Sequence, residues 1–141
     1  MINRTSKIFV TVDAVIFKPL NASHKVLLIK RKNNPYKGKW ALPGGFVDEH
    51  EDLQAAAARE LQEETGLKVN TLQQFHTFGK PHRDPRSHTI SVAYHGFADQ
   101  DAKAEAADDA DDAAWFDVRN LPELAFDHDE IIAMAIKKVL S

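Results

Sequence analysis

The sequence contains no cysteine, which excludes disulfide bonds and thiolate metal sites. Oxygen ligands or histidine are left for any metal ion, and this favours a hard cation such as Mg²⁺ or Mn²⁺. No apolar run approaches the roughly 20 residues that a membrane span requires. Residues 1–7 carry positive charge but precede alternating residues instead of the continuous apolar segment of a signal peptide. We therefore expect a cytoplasmic protein without a membrane partner.

A strong excess of charge of either sign is also missing. The formal net charge is −3, so the overall charge does not attract nucleic acid or an acidic membrane surface. Any phosphorylated ligand must be bound by local positive charge. A chain of 141 residues is long enough to bury one core and too short for two full domains. The sequence predicts a single domain over residues 1–141 and no nucleic-acid partner.

Hydrophobic patterning predicts an α/β or α+β arrangement. Apolar, β-branched and aromatic residues predict strands at 7–18, 26–31, 69–78, 89–97 and 113–118. A turn is predicted at 19–24 and a loop at 33–39. Helices are predicted over 52–65 and from about residue 128 onward. The acidic, alanine-rich segment 98–112 lacks an apolar stripe, so we expect a mobile loop, although its alanines are compatible with a short helix.

The ends of both helices can be predicted. Asp52 suits the N-cap of the first helix, and Gly66 suits the position after its last residue, where a left-handed conformation is common. The residues of this helix expected to face the core are Leu53, Ala57, Leu61 and Ala58. At the start of the second helix, Asp127 and Glu130 have the spacing of a capping box.

Three glutamates in the first helix have a spacing that indicates a metal site. Glu60, Glu63 and Glu64 stand at i, i+3 and i+4, so their side chains share one helical face. Like charges so placed destabilise an isolated helix by roughly a few tenths of a kcal/mol per pair. A divalent cation would neutralise them. The alternative is an amphipathic helix with a solvated acidic face.

The same glutamates belong to a longer pattern. After Gly45 come five residues, Glu51, seven residues and then Arg59-Glu60-Leu61-Gln62-Glu63-Glu64-Thr65-Gly66-Leu67. This matches the Nudix box G-x5-E-x7-R-E-U-x-E-E-x-G-U, in which U is aliphatic, at every fixed position. The chain therefore resembles Nudix hydrolases. The resemblance implies a Nudix-type α/β/α sandwich with a mixed β-sheet.

Nudix hydrolases use divalent cations to cleave a diphosphate linked to a further group, by attack of water at phosphorus. The resemblance implies that Glu60, Glu63 and Glu64 are metal ligands and catalytic residues. It also implies that Glu51 binds the metal directly or through water. The backbone carbonyl of Gly45 is expected to join these ligands, because a missing side chain allows close approach.

Arg59 and the general base complete the chemistry that the resemblance implies. Arg59 pairs with a box glutamate in this family and is expected to orient a carboxylate for catalysis; an exposed helix arginine is the alternative. The base in family members is either a box glutamate, in this chain Glu60, or an acid on a distant loop, and both choices stay open. For the loop acids, a solvated charge run is the alternative. These acids are Glu105, Asp108, Asp109, Asp111 and Asp112.

The substrate is indicated by a second likeness. Residues 75–86, 89–94, 115–116, 121–122 and 124–128 resemble a subgroup centred on ADP-ribose pyrophosphatases. The likeness implies ADP-ribose as the small-molecule substrate, cleaved to AMP and ribose 5-phosphate. Arg83 and Arg86 lie in a proline-containing loop, where a guanidinium can bind a phosphate or ribose oxygen. The alternative is an Asp84–Arg86 pair that only stabilises the loop.

Two other functions are compatible with these residues. One is a Nudix hydrolase of a nucleoside triphosphate, a dinucleoside polyphosphate or an NDP-sugar. The other is a sensor that binds ADP-ribose without cleaving it, as Nudix-derived transcriptional regulators do. Such regulators generally carry a degraded box and a winged-helix region, whereas this box is intact and the sequence ends at Ser141. We therefore expect no gel shift with operator-like DNA. Homodimers are common in the family, so the resemblance is compatible with a homodimer.

Overall fold

The computed structural model describes residues 5–105 and 110–140. Its strands are β1 (Ile8–Leu20), β2 (Ser23–Arg31), β3 (Trp40–Ala41), β4 (Gly44–Phe46), β5 (Gln73–Phe78), β6 (His88–Phe97) and β7 (Ala110–Asp117). Its α-helices are α1 (Leu53–Thr65) and α2 (His128–Ala135), and a π-helical segment at Ile136–Leu140 follows α2. None of the described helices has the length and apolar character that a membrane crossing requires.

The strands form one mixed sheet around β1. This strand pairs in parallel with β6, from Ile8 opposite His88 to Phe17 opposite Phe97, and it pairs antiparallel with β2 and β4. The order across the sheet is β3-β2-β1-β6-β5, with β4 pairing with β1 and β7 pairing with β2. A parallel pair needs a long crossover connection, and the chain between β1 and β6 includes α1. The predicted mixed sheet is confirmed.

Alternation along β1 sends apolar side chains to both faces of the sheet. Val12 and Ile16 belong to a buried cluster that includes Leu61 of α1. Val15 belongs to a second cluster, which includes Ile131 of α2. Because residues an odd number apart in a strand point to opposite faces, the two helices cover opposite sides of the sheet. The predicted α/β/α sandwich is confirmed.

The first helix has the predicted ends. Asp52 occupies the N-cap position with extended backbone angles, although its side chain makes no capping hydrogen bond. Gly66 follows the helix with a φ of 72°, and its N–H donates to the Gln62 carbonyl at 2.8 Å. This left-handed cap is the conformation that glycine adopts without a steric penalty.

Gly66→Ala is expected to lower the free energy of unfolding by about 1 kcal/mol. A Cβ at this position would meet no atom within 4 Å, so the cost comes from backbone strain and not from a clash. Gly66→Asn is the matched control and should cost less, because asparagine adopts positive φ more readily than alanine. Thermal unfolding of the three proteins measures the difference. An alanine variant as stable as the wild type would contradict the strained cap.

The buried face of α1 differs in part from the prediction. Ala57 and Leu61 are buried and Leu53 is half-buried, as predicted, but Ala58 is exposed and Ala56 is buried instead. The buried face is therefore rotated towards the glutamates, and two acidic side chains are buried with the alanines. The full buried set is Ala56, Ala57, Glu60, Leu61, Glu64 and Thr65.

Several strand ends differ from the prediction. The strands β3 and β4 contain two and three residues, too few to show a period in the sequence. The turn after β1 is confined to residues 21–22, so its predicted extent of 19–24 is wrong. The loop predicted for 98–112 is wrong at its end, because β7 begins at Ala110 and pairs with β2. Residues 98–105 form no helix, and residues 106–109 lie outside the described ranges.

The capping box predicted for α2 is wrong, although the helix begins at His128 as predicted. Asp127 occupies the N-cap position, but its side chain makes no capping hydrogen bond. Its two carboxylate oxygens instead accept hydrogen bonds from Arg83, at 2.8 and 2.6 Å. A bidentate guanidinium is a stronger partner for a carboxylate than a single backbone N–H.

Candidate active site

The box places β4 against the buried face of α1. Glu60 is 9% exposed and Glu64 is 4% exposed. The Gly44 N–H donates to Glu64 Oε1 at 3.0 Å. A Cβ on Gly45 would lie 2.7 Å from both Cδ and Oε2 of Glu60, so only glycine lets the backbone come this close to the carboxylate. Three of the predicted metal ligands, Gly45, Glu60 and Glu64, are therefore brought together.

Arg59 contacts the other predicted carboxylates. Its Nε and Nη2 atoms donate to Glu51 Oε2 and Oε1 at 2.7 and 2.9 Å. Its Nη1 donates to Glu60 Oε1 at 2.8 Å and to Glu63 Oε2 at 3.1 Å. Its Nη2 also donates to the Phe46 carbonyl at 3.2 Å. One guanidinium therefore joins three of the predicted ligands to the end of β4.

Hydrogen bonding and burial shift the pKa values of these carboxyls in opposite directions. Hydrogen bonds from Arg59 lower the pKa of Glu51 to about 2. Burial raises the pKa of Glu64 to about 9, and the nearby charge of Glu60 adds to this effect. Burial also raises the pKa of Glu60, although Arg59 opposes it. The raised pKa values of Glu60 and Glu64 favour a protonated carboxyl in this pair in the absence of a cation.

The donor set fits a divalent cation. Within residues 5–105 and 110–140, no group of three or more acidic or histidine side chains is arranged to hold an ion. Glu51 and Glu63 are bound to Arg59. Glu60 and Glu64, two buried carboxyls with raised pKa values beside a glycine backbone, supply the hard oxygen donors to which Mg²⁺ or Mn²⁺ would bind in place of a proton.

A cleft opens beside the carboxylates. Its cavity has a volume of about 360 Å³, which lies in the range of small-molecule pockets. Acidic side chains from α1 line it together with basic side chains from the end of β2 and from the β5–β6 loop. Among its lining residues are Gly45, Glu60, Glu64, Arg31, Lys32 and Arg86. The cavity can therefore hold an anion next to a cation-binding site.

The two arginines predicted to bind substrate have different environments. The side chain of Arg83 is only 4% exposed and is held by Asp127. The side chain of Arg86 is 39% exposed, and its Nε and Nη2 donate to Asp84 at 3.1 and 2.7 Å. The Asp84–Arg86 pair, which was the alternative reading of the loop, is therefore present. It leaves part of the Arg86 guanidinium exposed in the cleft.

Aromatic rings hold Arg86 beside a second arginine that was not predicted. The Cζ of Arg86 lies 4.9 Å from the Phe46 ring centroid and 5.5 Å from that of Phe126. The Cζ of Arg31 lies 5.0 Å from the Phe126 centroid. Burial and the charge of Arg86 lower the pKa of Arg31. An anion bound between the two guanidiniums would stabilise the charge of Arg31.

Asp13 and His128 were also not predicted. Asp13 is buried in β1 and accepts a hydrogen bond from the Ser91 hydroxyl. His128 Nε2 lies 3.6 Å from Asp13 Oδ1, and its Nδ1 accepts a hydrogen bond from the Leu42 N–H at 3.0 Å. The available signal in the sequence was a single acid within an apolar strand, because a buried charge requires partners.

The candidates for the general base are not equally placed. Glu60 lines the cleft. Glu105 and Asp112 are exposed and are not among the lining residues. Asp108 and Asp109 lie outside the described ranges, as does the side chain of Asp111.

Known proteins are similar in sequence to this chain. A model of the NUDIX domain matches residues 10–135. The chain is 48% identical over 124 residues to the ADP-ribose pyrophosphatase of Methanocaldococcus jannaschii, across 87% of this chain and 70% of that protein. It is 35% identical over 133 residues to the ADPR responsive transcriptional repressor NtrR of Acinetobacter baylyi, across 92% of this chain and 53% of the repressor. The chain therefore spans about half the length of the repressor.

A solved structure is also similar to this chain. The NUDIX domain of Shewanella oneidensis NrtR, complexed with ADP ribose, is similar with a TM-score of 0.89 and 33% identity. The match covers 96% of this chain and 90% of that one. With the family model over most of its length and these relatives, the chain belongs to the NUDIX domain family.

Proposed function

We propose that this protein is a divalent-cation-dependent hydrolase that cleaves ADP-ribose to AMP and ribose 5-phosphate. The observation that carries the proposal is that the buried Glu60 and Glu64 and the guanidiniums of Arg31 and Arg86 line the same cavity. A diphosphate needs both a cation, held by carboxylates, and further positive groups to compensate its charge. The identity to an ADP-ribose pyrophosphatase and the similarity to an ADP-ribose-bound domain support the choice of substrate.

The proposed reaction consumes one water. The water oxygen forms a bond to one phosphorus of the diphosphate, and the bond from that phosphorus to the bridging oxygen breaks. A bound Mg²⁺ or Mn²⁺ supplies neutralisation of the diphosphate charge and lowers the pKa of water. Glu60 is proposed to accept the water proton, because it lines the cleft and the described loop acids do not. The proposed cation ligands are Gly45, Glu51, Glu60, Glu63 and Glu64.

Arg86→Ala is expected to raise KM for ADP-ribose by about 10-fold with a smaller effect on kcat, because a charge-assisted hydrogen bond is worth about 1.5–3 kcal/mol. Arg83→Ala is the matched control. It removes the partner of Asp127 and should lower the melting temperature without the same rise in KM. Steady-state kinetics and thermal unfolding of both variants measure this contrast. If KM rises only in the Arg83 variant, Arg83 binds the substrate and the role proposed for Arg86 is wrong.

The proposed substrate is tested with a panel. We would compare kcat/KM for ADP-ribose, NDP-sugars, dinucleoside polyphosphates and nucleoside triphosphates with Mg²⁺, for the wild type and for Glu63→Gln. We expect preferred cleavage of ADP-ribose that is lost in the variant. Preference for another compound would keep the cation chemistry and overturn the substrate.

A non-catalytic ADP-ribose sensor is the second candidate, and the similarity to the repressor NtrR favours it. The intact box favours the enzyme, because a sensor does not need the full set of cation-binding carboxylates. Tight binding of ADP-ribose without turnover, together with a gel shift on operator-like DNA, would select the sensor. For the hydrolase we propose Mg²⁺ as the cation, a cytoplasmic location, a homodimer and no nucleic-acid partner, on the basis of the family resemblance and the net charge of −3.

A further inference from the structure

His128, the first residue of α2, contacts the segment that forms one wall of the candidate site. Its side chain is buried, and its Nδ1 accepts the hydrogen bond of the buried Leu42 N–H at 3.0 Å. Because Nδ1 is the acceptor, the ring proton lies on Nε2, which faces Asp13 Oδ1 at 3.6 Å. Burial lowers the pKa of His128, and this favours the neutral ring that can accept a hydrogen bond.

The segment Leu42–Gly45 is held by three elements. The α2 helix holds it through His128, as described. The β1 strand holds it through the Ala14 N–H, which donates to the Pro43 carbonyl at 2.8 Å. The α1 helix holds it through Glu64, which accepts the Gly44 N–H. The hydrogen bond to His128 therefore ties the wall of the cation site to α2, on the opposite side of the sheet, where the Leu42 side chain also packs in the cluster of Ile131.

There is little free space around this segment. A Cβ on Gly44 would lie 2.2 Å from the Val12 carbonyl oxygen. A Cβ on Gly45 would lie 2.7 Å from the Glu60 carboxyl. Because the backbone is this close to β1 on one side and to the carboxylate on the other, a small shift of the segment changes the distances between the proposed cation ligands.

We infer that His128 is a positioning residue for the cation site: by accepting the Leu42 N–H, it holds the Gly44–Gly45 backbone against Glu60 and Glu64. It acts through Leu42. The consequence for turnover rests on the proposed function. The consequence for cation binding rests on the proposed cation ligands, whereas the Leu42 hydrogen bond rests on neither.

The hydrogen bond can be tested on the wild-type chain by NMR. We expect a scalar coupling across the N–H···N bond between the Leu42 amide and His128 Nδ1. We also expect ring ¹⁵N shifts of the tautomer protonated at Nε2. A ring protonated at Nδ1, without the coupling, would overturn the inference whether or not any variant folds.

Two substitutions separate the acceptor from the rest of the side chain. His128→Asn places an amide oxygen near the position of Nδ1, whereas His128→Gln places its amide near Nε2. In the glutamine variant we expect about 10-fold faster solvent exchange of the Leu42 amide and about 10-fold weaker Mn²⁺ binding, with a similar loss of kcat/KM. The asparagine variant should stay within about threefold of the wild type. Val139→Ala weakens the apolar cluster that contains Val15 and Ile131, and it controls for lost stability.

The outcomes are distinguishable. Equal Mn²⁺ affinity in the asparagine and glutamine variants, or faster exchange of the Leu42 amide with unchanged Mn²⁺ affinity, would overturn the positioning role. If the wild type does not cleave ADP-ribose, but Leu42 exchange and Mn²⁺ affinity change in the two variants as expected, the proposed substrate is wrong and the positioning role is supported.

Discussion

Glu64→Gln is expected to lower kcat for ADP-ribose hydrolysis by about 10³-fold while the protein stays folded. Glutamine cannot ionise, so the buried pair with Glu60 carries at most one negative charge and can no longer compensate a divalent cation. The new amide oxygen can still accept the Gly44 N–H. Steady-state kinetics with saturating Mg²⁺ measure the effect.

The matched control for this substitution is Glu130→Gln, because Glu130 is exposed in the first turn of α2 and does not line the cleft. It should leave kcat unchanged. A Glu64 variant that keeps more than about a tenth of the wild-type kcat would contradict the role of the buried pair.

The pH dependence of stability in EDTA adds an independent check on Glu64→Gln. Burial raises the pKa of Glu64 from 4.5 to about 9, so the folded protein keeps a proton that the unfolded chain releases. The contribution of Glu64 to the stability of the metal-free wild type should therefore be fully present below pH 4.5 and be lost as the pH rises towards 9. Glutamine does not titrate, so the variant should lose part of this slope. Equal slopes in thermal unfolding would contradict the buried, protonated carboxyl.

Arg59→Ala is expected to lower kcat/KM by about 10–100-fold and to raise the Mg²⁺ concentration needed for the half-maximal rate. Arg59 binds Glu51, Glu60 and Glu63 with one guanidinium, so its loss leaves three carboxylates without the group that orients them. Arg59→Lys should restore only part of the activity, because an ammonium group cannot form the same fork of hydrogen bonds.

Arg119→Ala controls for the loss of a surface ion pair. Arg119 donates to Asp117 at 3.0 and 2.8 Å, is exposed and does not line the cleft. It should leave kcat/KM and the Mg²⁺ requirement unchanged. An Arg59→Ala enzyme with the wild-type Mg²⁺ dependence would show that Arg59 does not act through the cation ligands.

Much of the fold could be predicted because local sequence carries it. The β-branched and aromatic residues of β1 and the alanine-rich run closed by Gly66 are local features of the sequence. The start of β7 could not be predicted in this way. Its first residues, Ala110–Asp112, have poor strand propensity and are held by pairing with Lys30 and Arg31 of β2.

The same distinction between local and long-range features applies to the candidate site. The spacing of Glu60, Glu63 and Glu64 is a property of one helix, so the sequence predicts their proximity. The partners of Arg83 and His128 lie more than 40 residues away along the chain. Contacts at such separations depend on the packing of whole elements. This is why the sequence did not predict the contact of Arg83 with Asp127.

The central claim is that the buried carboxylates of the box hold a divalent cation. It is tested most directly by Mn²⁺ binding to the wild type and to Glu64→Gln, followed by electron paramagnetic resonance with Mg²⁺ as competitor. We expect the wild type to bind Mn²⁺, Mg²⁺ to displace it, and the folded variant to bind at least about 10-fold more weakly. Equal affinity in the two proteins, or hydrolysis of ADP-ribose by the wild type in EDTA without bound metal, would contradict the claim.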